Sequence, residues 1–330
     1  MQSHVFTDFY QFRESNLQLE GQFLIYGKHN DFHWRTDTLS LDGFQLLRSQ
    51  CETGMICEGQ SSRDFYQFYF PIGETWSNHG DEFDTGDVLI LEPGCEYYEA
   101  NKSPHDGWHA YMIPIDQVEL PDNYHFASIP YKVRIGTQQG ARLHRLYQQF
   151  FIAIKEYPEM ENSPVAHMMK GEIDSILMPL VANKQLVEQK FGRNRLSKHK
   201  VMTKVQDFIQ QSGNTPIHIT QLAEAAHTSD RTLLNVFQDY YGIGPHQYLL
   251  LRQLHQLYMD LYVANPAETN VSEIMIRNGI WEFGRFSGRY KKQFGELPKQ
   301  TLARVPDRYL PHINAKMQPK LPVALKRYDI

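Results

Sequence analysis

A set of cationic side chains surrounds an aromatic repeat near the C-terminal end of the chain. The stretch "WEFGRFSGRYKKQFGELP", residues 281–298, has an aromatic residue at every fourth position, at Phe286, Tyr290 and Phe294. This period predicts one buried helix stripe, and Gly295 marks the helix end. Outside the stripe lie four cations: Arg285, Arg289, Lys291 and Lys292. Such groups on an exposed helix bind phosphates, although solvated charges on any surface helix give the same pattern.

The same pattern occurs 53 residues earlier. "TLLNVFQDYYGIGP" aligns with "RFSGRYKKQFGELP", so that Leu233, Phe237 and Tyr241 match the aromatic stripe and both segments end in Gly-x-x-Pro. Upstream, "QLAEAAHTS" aligns with "EIMIRNGIW" at an offset of 52, which requires one extra residue in the second turn. Each unit is therefore predicted to be a short helix, a tight turn and a second helix. This is the layout of a helix-turn-helix.

The second helix of the first unit carries side chains that suit base recognition. Arg231, Thr232 and Asn235 lie opposite the apolar stripe and near the N-terminal end, where a recognition helix contacts the major groove. Arginine can make two hydrogen bonds with guanine and asparagine two with adenine, so both residues can read sequence. Ser229 precedes this helix and could cap it or contact a phosphate, and both readings stay open.

A long helical segment is predicted to join the two units. "PHQYLLLRQLHQLYMDLYV" spaces Leu250, Leu254, Leu257 and Leu261 at helical intervals. Two units on a stiff connector can read successive major-groove faces, one turn of about 34 Å apart. A duplication used only for packing is the alternative.

Residues from about 200 to 304 resemble the DNA-binding domain of AraC/XylS-type transcription regulators. The resemblance rests on "LAEAAHTSDRTLLNVFQDYYGIGPHQYL" and "GIWEFGRFSGRYKKQFGELP". The second stretch is most similar to the XylS-like and ethanolamine-operon-regulator-like branch. The resemblance implies base contacts at Arg231 and Asn235, an N-terminal β-barrel sensor with dimerising helices, and RNA polymerase as a partner.

The second unit departs from the family pattern. Phe283, Gly284 and Gly288 stand where other members often carry polar readers, and Phe283 could contact a thymine methyl or serve packing. Gly288 inside a helix costs about 1 kcal/mol relative to alanine. Arg285 is the base-reading candidate here, while the remaining three cations are assigned to phosphates. The first unit is therefore expected to carry more of the specificity and the second more of the affinity.

Charge is divided unevenly along the 330 residues. The net charge of −5 consists of −13 for residues 1–190 and +8 for residues 191–330, which favours a polyanionic partner for the second part only. Cys51, Cys57 and Cys95 match no zinc spacing and are expected to be reduced thiols. No apolar run is long enough to span a membrane, and no secretory signal opens the chain, so the cytoplasm is the expected location.

The acidic part changes from strand-like to helical periodicity. Residues 20–135 contain runs such as "FYQFYFPIG" and "DVLILEPG", which are typical of strands in a sandwich or barrel. Two helical stripes follow, and they could pack on the β domain or on a second copy of the chain. The predicted stripes are Leu143, Leu146, Tyr147, Phe150 and Ile154, and then Ile173, Ile176, Leu177, Leu180 and Val181.

The segment "DEFDTGDVLILEPGCEYYEA" raises a rival hypothesis, a cupin-like metal enzyme with an appended helical domain. His79 and Glu82 are present, but no His-x-His occurs and Tyr97 or Tyr98 follows the Pro-Gly turn, so three metal ligands cannot be assembled. No Gly-rich phosphate loop, nucleophile elbow or Walker sequence is present either. We therefore expect no enzyme activity, metal or cofactor. Aromatic residues that could line an effector pocket, or equally form core, are Trp34, Tyr69, Trp76, Trp108 and Tyr111.

The sequence thus predicts a multidomain α+β protein: a cupin-like β-barrel sensor with appended helices, then an all-α domain of two helix-turn-helix units. It is expected to be a ligand-responsive activator that binds repeated promoter half-sites as a homodimer; a regulator without a small effector is a further alternative. The predicted divisions are 1–136 for the sensor, 137–190 for dimerising helices, 191–200 for a linker, 201–304 for the DNA-binding domain and 305–330 for an irregular tail.

Overall fold

A computed structural model gives the structure of the chain. It describes residues 1–15, 19–72, 75–78, 81–101, 106–121, 123–182, 193–213 and 215–304. The predicted tail at 305–330 lies outside these residues. Within them a β-rich half, residues 1–182, precedes a helical half, residues 193–304, as the two periodicities predict. No described helix combines the length and the apolar character needed to cross a membrane.

The strands of the β-rich half form antiparallel sheets. In chain order they are β1 (Gln2–Phe6), β2 (Leu19–Ile25), β3 (Trp34–Leu41), β4 (Phe44–Cys51), β5 (Met55–Ser61), β6 (Phe65–Pro71), β7 (Thr75–Asn78), β8 (Asp81–Asp84), β9 (Asp87–Leu91), β10 (Glu96–Asn101), β11 (Asp106–Pro114) and β12 (Tyr131–Arg134). A seven-stranded sheet has the order β1-β3-β4-β11-β6-β9-β12, and a three-stranded sheet has the order β10-β5-β2. β7 and β8 pair as a separate hairpin.

The two larger sheets share one apolar core between them. Because side chains alternate across a strand, one face of β11 supplies Trp108, Ala110 and Met112 to this core, and β5 supplies Met55 and Cys57 from the opposite sheet. Helix α1 (Phe9–Ser15) closes one end. The arrangement is the cupin-like β-barrel that the sequence predicts. Cys51, Cys57 and Cys95 are free and buried within it.

Two helices cover the outer face of the seven-stranded sheet. They are α2 (Thr137–Glu156) and α3 (Pro164–Ala182). Their predicted stripes pack against outward residues of the sheet such as Phe68 and Tyr111. Of the two alternatives for these stripes, packing on the chain's own β domain is the one observed.

The helical half contains both predicted units. Its helices are α4 (Arg193–Ser212), α5 (Ile219–Ala225), α6 (Asp230–Tyr241), α7 (Pro245–Val263), α8 (Val271–Arg277), α9 (Phe283–Phe294) and α10 (Pro298–Leu302). Units α5–α6 and α8–α9 have helices of equal length, seven and twelve residues. The second turn is one residue longer, as the offsets of 52 and 53 require. α7 is the predicted connector.

The segment that the sequence predicts to be a linker, residues 191–200, is helical from Arg193 onward. Helix α4 begins at Arg193 and runs through the basic segment, while residues 191 and 192 lie outside the described part of the chain. Among the side chains of α4 that the structure describes, the buried apolar ones are Met202, Val205 and Ile209, which follow the basic segment. The boundaries of the domains themselves remain predictions.

Candidate DNA interface

The first unit holds α6 by its ends and by one buried stripe. The Ser229 side-chain oxygen accepts a hydrogen bond from the backbone nitrogen of Thr232 at 3.2 Å, which caps the helix. At the other end Gly242 adopts a left-handed conformation with a φ of 69°. Leu233, Val236 and Phe237 are at most 2% exposed. Ser229 is therefore a helix cap, and its phosphate contact stays a prediction.

The opposite face of α6 is open to solvent. Arg231, Thr232 and Asn235 are all exposed. The Thr232 hydroxyl lies 3.0 Å from the Ser229 hydroxyl, but the side chains of Arg231 and Asn235 make no hydrogen bond or ion pair with another described residue. The two predicted base readers are thus one turn apart and available to a ligand.

Sequence reasoning missed the surroundings of these readers. A groove of about 450 Å³ separates α4 from α6 and is lined by Ser197, Lys198, Val201, Thr232, Asn235, Val236, Gln238 and Asp239. Lys198 pairs with Asp239 across it at 2.6 Å. The Gln238 amide donates to the Gly242 carbonyl at 2.9 Å. The spacing of residues 231, 235 and 238 could have identified Gln238, whereas Lys198 required knowledge that the basic segment is helical.

The second unit presents a more cationic surface. Asn270 caps α8 by accepting from the Glu273 nitrogen at 3.1 Å, and Gly295 ends α9 with a φ of 77°. The predicted contact residues Arg285, Arg289, Lys291 and Lys292 are all exposed on α9. Arg285 pairs with Glu282 at 3.1 Å, but both side chains are about two-thirds exposed or more, at 70% and 67%. Such an exposed pair is worth little, so Arg285 can exchange it for DNA.

Two glycines lie at the centre of the exposed face of α9. A Cβ atom at Gly284 or at Gly288 would have no neighbouring atom within 4 Å. Helical spacing places the two glycines one turn apart, among the four cationic residues. The backbone of α9 is therefore accessible to the sugar-phosphate backbone of DNA. Phe283 is partly buried against the core, so packing is the one of its two suggested roles that the structure shows.

The predicted effector residues do not all face one space. Trp34, Tyr69 and Trp108 belong to the core between the sheets, where the rings of Trp34 and Trp108 are 5.0 Å apart. Tyr111 is on the opposite face of β11, fully buried against α2 and α3, and its hydroxyl donates to Asp174. Including Tyr111 in the pocket was therefore wrong. Trp76 lies on β7 and pairs with Phe83, but its side chain lies outside the described residues.

A polar group in this inner core was also missed. Gln67 is fully buried on β6, and its Oε1 accepts from the Tyr69 hydroxyl at 2.8 Å. Its Nε2 has no hydrogen-bond partner among the described residues. A buried unpaired amide is costly, and a ligand oxygen would satisfy it. Alternation with outward-facing Tyr66 and Phe68 would have placed Gln67 inside.

Of the two residues considered for a cupin metal site, Glu82 is exposed and His79 lies outside the described residues. Another histidine, His109, is buried and faces α2 rather than the inner core. Within the described residues no group of three or more His, Cys, Asp and Glu is placed to hold a metal ion.

Comparisons with known proteins find transcription regulators that are similar in sequence. The helix-turn-helix domain family matches residues 222–304. The XylDLEGF operon transcriptional activator 1 of Pseudomonas putida is 27% identical over 241 residues, or 69% of this chain and 70% of the relative. A solved structure of a probable AraC family transcriptional regulator from Rhodopseudomonas palustris is 27% identical and covers 32% of this chain and 97% of that one, with a TM-score of 0.29.

A further relative establishes the family. The XylDLEGF operon transcriptional activator 3 of Pseudomonas putida is 33% identical over 238 residues, which is 69% of each chain. The alignment is much longer than the helix-turn-helix region and includes more than two thirds of both proteins. The chain belongs to the AraC/XylS family of DNA-binding transcription regulators.

Proposed function

We propose that the chain is a ligand-responsive transcription activator that binds two-part promoter sites with α6 and α9. The observation that carries the proposal is the repeated unit: two twelve-residue helices, each held by a buried stripe, each with an exposed polar face. The relatives named as operon activators support activation as the outcome. They also support a regulatory rather than an enzymatic role.

We assign sequence reading chiefly to α6. Arg231, Thr232 and Asn235 supply its base contacts, and Arg285 supplies one from α9. Ser229, Arg289, Lys291 and Lys292 are assigned to phosphates, which give affinity without sequence information. The open glycine face of α9 supports this division, because it lets the DNA backbone approach closely but offers no side chain for base recognition.

We place the effector between the two sheets, against Trp34, Tyr69 and Trp108. Gln67 adds a hydrogen-bond donor to this aromatic wall. Such a site favours a small aromatic or apolar compound that carries one acceptor oxygen. Replacing Gln67 with leucine should abolish effector-dependent activation while leaving basal DNA binding unchanged. Equal activation by the Gln67→Leu chain would remove Gln67 from the site.

We further propose that the protein acts in the cytoplasm as a homodimer and contacts RNA polymerase at the promoter. Exposed apolar residues on the outer side of α2 and α3 support self-association: Ile152 is 52% exposed and Met168 is 64% exposed. Light scattering on the intact chain and on a Met168→Glu variant tests the dimer. An unchanged mass for the variant would exclude this surface.

Selection of genomic fragments by the purified chain tests the function. Enrichment of a few upstream regions that share a two-part motif, with halves about one turn apart, is the expected result. Enrichment no greater than that of random fragments, with and without candidate effectors, would refute it. The genes beside the enriched fragments then indicate which metabolites to test as effectors.

A further inference from the structure

The outer face of the three-stranded sheet is covered by the first helix-turn-helix unit. Glu58 projects from this face of β5 and is only 4% exposed. Its carboxylate accepts hydrogen bonds from Gln206 at 2.8 Å and from the hydroxyls of Tyr241 and Tyr248 at 2.7 Å. Arg252 pairs with it at 2.7 Å. One carboxylate of the β-rich half thus binds α4, the end of α6 and the start of α7.

The hydrogen bonds to Glu58 have a fixed donor and acceptor and are strong. Burial, followed by the negative charge of Glu58, raises the pKa of the Tyr241 hydroxyl well above its ordinary value, so the hydroxyl keeps its proton and donates it. Hydrogen bonds to a buried charge are stronger than neutral ones, and an unpaired buried charge is strongly unfavourable. The first unit therefore cannot rotate on the sheet without first breaking several bonds to a single carboxylate.

The second unit is held by the end of β2 and the turn that follows it. The Gln293 side chain on α9 donates to the backbone carbonyls of Ile25 and Gly27, both at 2.8 Å. A Cβ at Gly295 would lie 2.3 Å from the Asn30 side chain, so the end of α9 touches the β-rich half directly. Both features lie at the C-terminal end of the helix.

The connector between the units is also attached to the β-rich half. The rings of Tyr10 and Tyr258 stack 4.0 Å apart with an angle of 2°. The His255 ring lies 3.1 Å from the Tyr10 hydroxyl and 3.1 Å from the backbone nitrogen of Ile25. Together β2, β5 and the turn after β2 touch both units and the helix that joins them.

These attachments leave the DNA-facing side chains free. Arg231, Asn235, Arg285 and Lys292 are all exposed while both units are docked. Docking therefore does not block either face. Since the units pack on different parts of α7, through Leu251 for the first and Leu257 for the second, the β-rich half supplies a second link between them.

We propose that Glu58 and Gln293 are positioning residues of a clamp, by which the β-rich half fixes the angle between α6 and α9 and so sets the half-site spacing that the chain accepts. The inference rests on the proposed binding of DNA by both helices. Neither residue is among those assigned to bases or phosphates. Each acts through the helix that it holds.

The test compares binding to DNA duplexes that differ only in spacing. The intact chain first selects its two-part motif from a random library. Two synthetic duplexes then carry this motif, one at the native spacing and one with two base pairs inserted between the halves. A third duplex carries the first half alone. Two base pairs rotate the halves by about 70° and separate them by about 7 Å. The wild-type chain should lose at least about tenfold in affinity on insertion, because both helices cannot engage at once.

The clamp variants are Glu58→Gln and Gln293→Ala, each as the intact chain. Both should bind the single half-site as the wild type does but lose less than about threefold on insertion, since the freed units can reorient. Gln293→Ala removes only two hydrogen bonds, both from a partly buried side chain, so this variant should fold. It therefore keeps the test valid if Glu58→Gln folds poorly. Matched controls are Glu92→Gln and Gln253→Ala.

The controls remove the same kinds of hydrogen bond, but from contacts that lie within one half of the chain rather than between the halves. Glu92 is fully buried and accepts from the hydroxyls of Tyr124 and Tyr131, all in the β-rich half. Gln253 donates to the Asn278 carbonyl at 3.1 Å within the helical half. Both controls should keep the wild-type tenfold penalty even if they lower the melting temperature.

Three results would overturn the clamp. A full penalty in both clamp variants would show that the connector alone sets the angle. Loss of single half-site binding by both would show that the two residues support the reading surface itself. Relaxed spacing in the controls would show that general destabilisation is enough. Selection of no motif by the wild-type chain would instead refute DNA binding by both helices, so the two failures are distinguishable.

Discussion

Arg231 provides the sharpest test of the assignment of α6. Its side chain is exposed and makes no bond with another described residue, so replacing it should change the free energy of unfolding by less than about 0.5 kcal/mol. A bidentate contact with guanine is worth about 1–3 kcal/mol. Arg231→Ala should therefore weaken binding to the selected motif by about five-fold to 150-fold, while the free energy of unfolding stays within that small range.

Charge and base reading must be separated in the assay. Arg231→Lys keeps the charge but loses the two-pronged donor, so it should bind the motif nearly as weakly as Arg231→Ala while binding random DNA as the wild type does. Arg289→Ala is the matched control, because it removes the same side chain from a position assigned to phosphates. It should weaken motif and random DNA alike. Fluorescence anisotropy at several salt concentrations measures both affinities.

The assay should also include motif variants at each base pair. If Arg231 reads a guanine, Arg231→Ala relaxes discrimination at one position only. Equal weakening of motif and random DNA by Arg231→Ala, with full affinity in Arg231→Lys, would show a charge effect alone. The recognition surface of the first unit would then have to be placed elsewhere.

Three further changes test separate parts of the reasoning. Lys292→Ala should weaken all DNA alike and reduce the slope of log affinity against log salt by about 0.9, the value for one phosphate contact, as titration from low to high salt would show. Gly288→Ala should stabilise the protein by about 1 kcal/mol, because the added methyl meets no neighbour, yet weaken DNA binding by crowding the phosphates; denaturant unfolding and anisotropy measure the two effects. Burial, with the charges of His144 and Arg48, lowers the pKa of His109 well below 6.5, so only the unfolded state gains a proton as pH falls through 6.5. About 1 kcal/mol of stability should be lost between pH 6.5 and 5.5, and His109→Phe should reduce that loss in denaturant unfolding at both pH values.

The helical half could be predicted because its information is local. Ser229, Gly242 and Gly295 are caps that lie beside the helices they end, and the buried stripes recur within single helices. The offset between the two units even located the extra residue in the second turn. Such signals depend on residues within four positions of each other, so the sequence alone displays them.

The interface between the β-rich half and the helical half could not be predicted in the same way. Glu58 binds Gln206 across 148 positions and Arg252 across 194. Nothing in the neighbourhood of a single glutamate on a strand indicates such partners. The misplaced Tyr111 has a different cause: three positions from Trp108, it must point to the other side of β11, so strand periodicity contained the answer.

Strand β5 connects the proposed effector space to the clamp. Met55 and Cys57 point into the inner core, while Ile56 and Glu58 point to the first unit. An effector against the inner face can change the clamp only by its different affinity for the clamped and released states. A hundredfold difference is worth about 2.7 kcal/mol, which is comparable to one hydrogen bond to a buried charge, at about 1.5–3 kcal/mol. Loss of a single Glu58 contact should therefore shift the equilibrium about as far as the effector does. Once an effector is identified, Tyr241→Phe should bind DNA with a smaller effector dependence than the wild type; an unchanged dependence would mean that the effector acts along another path.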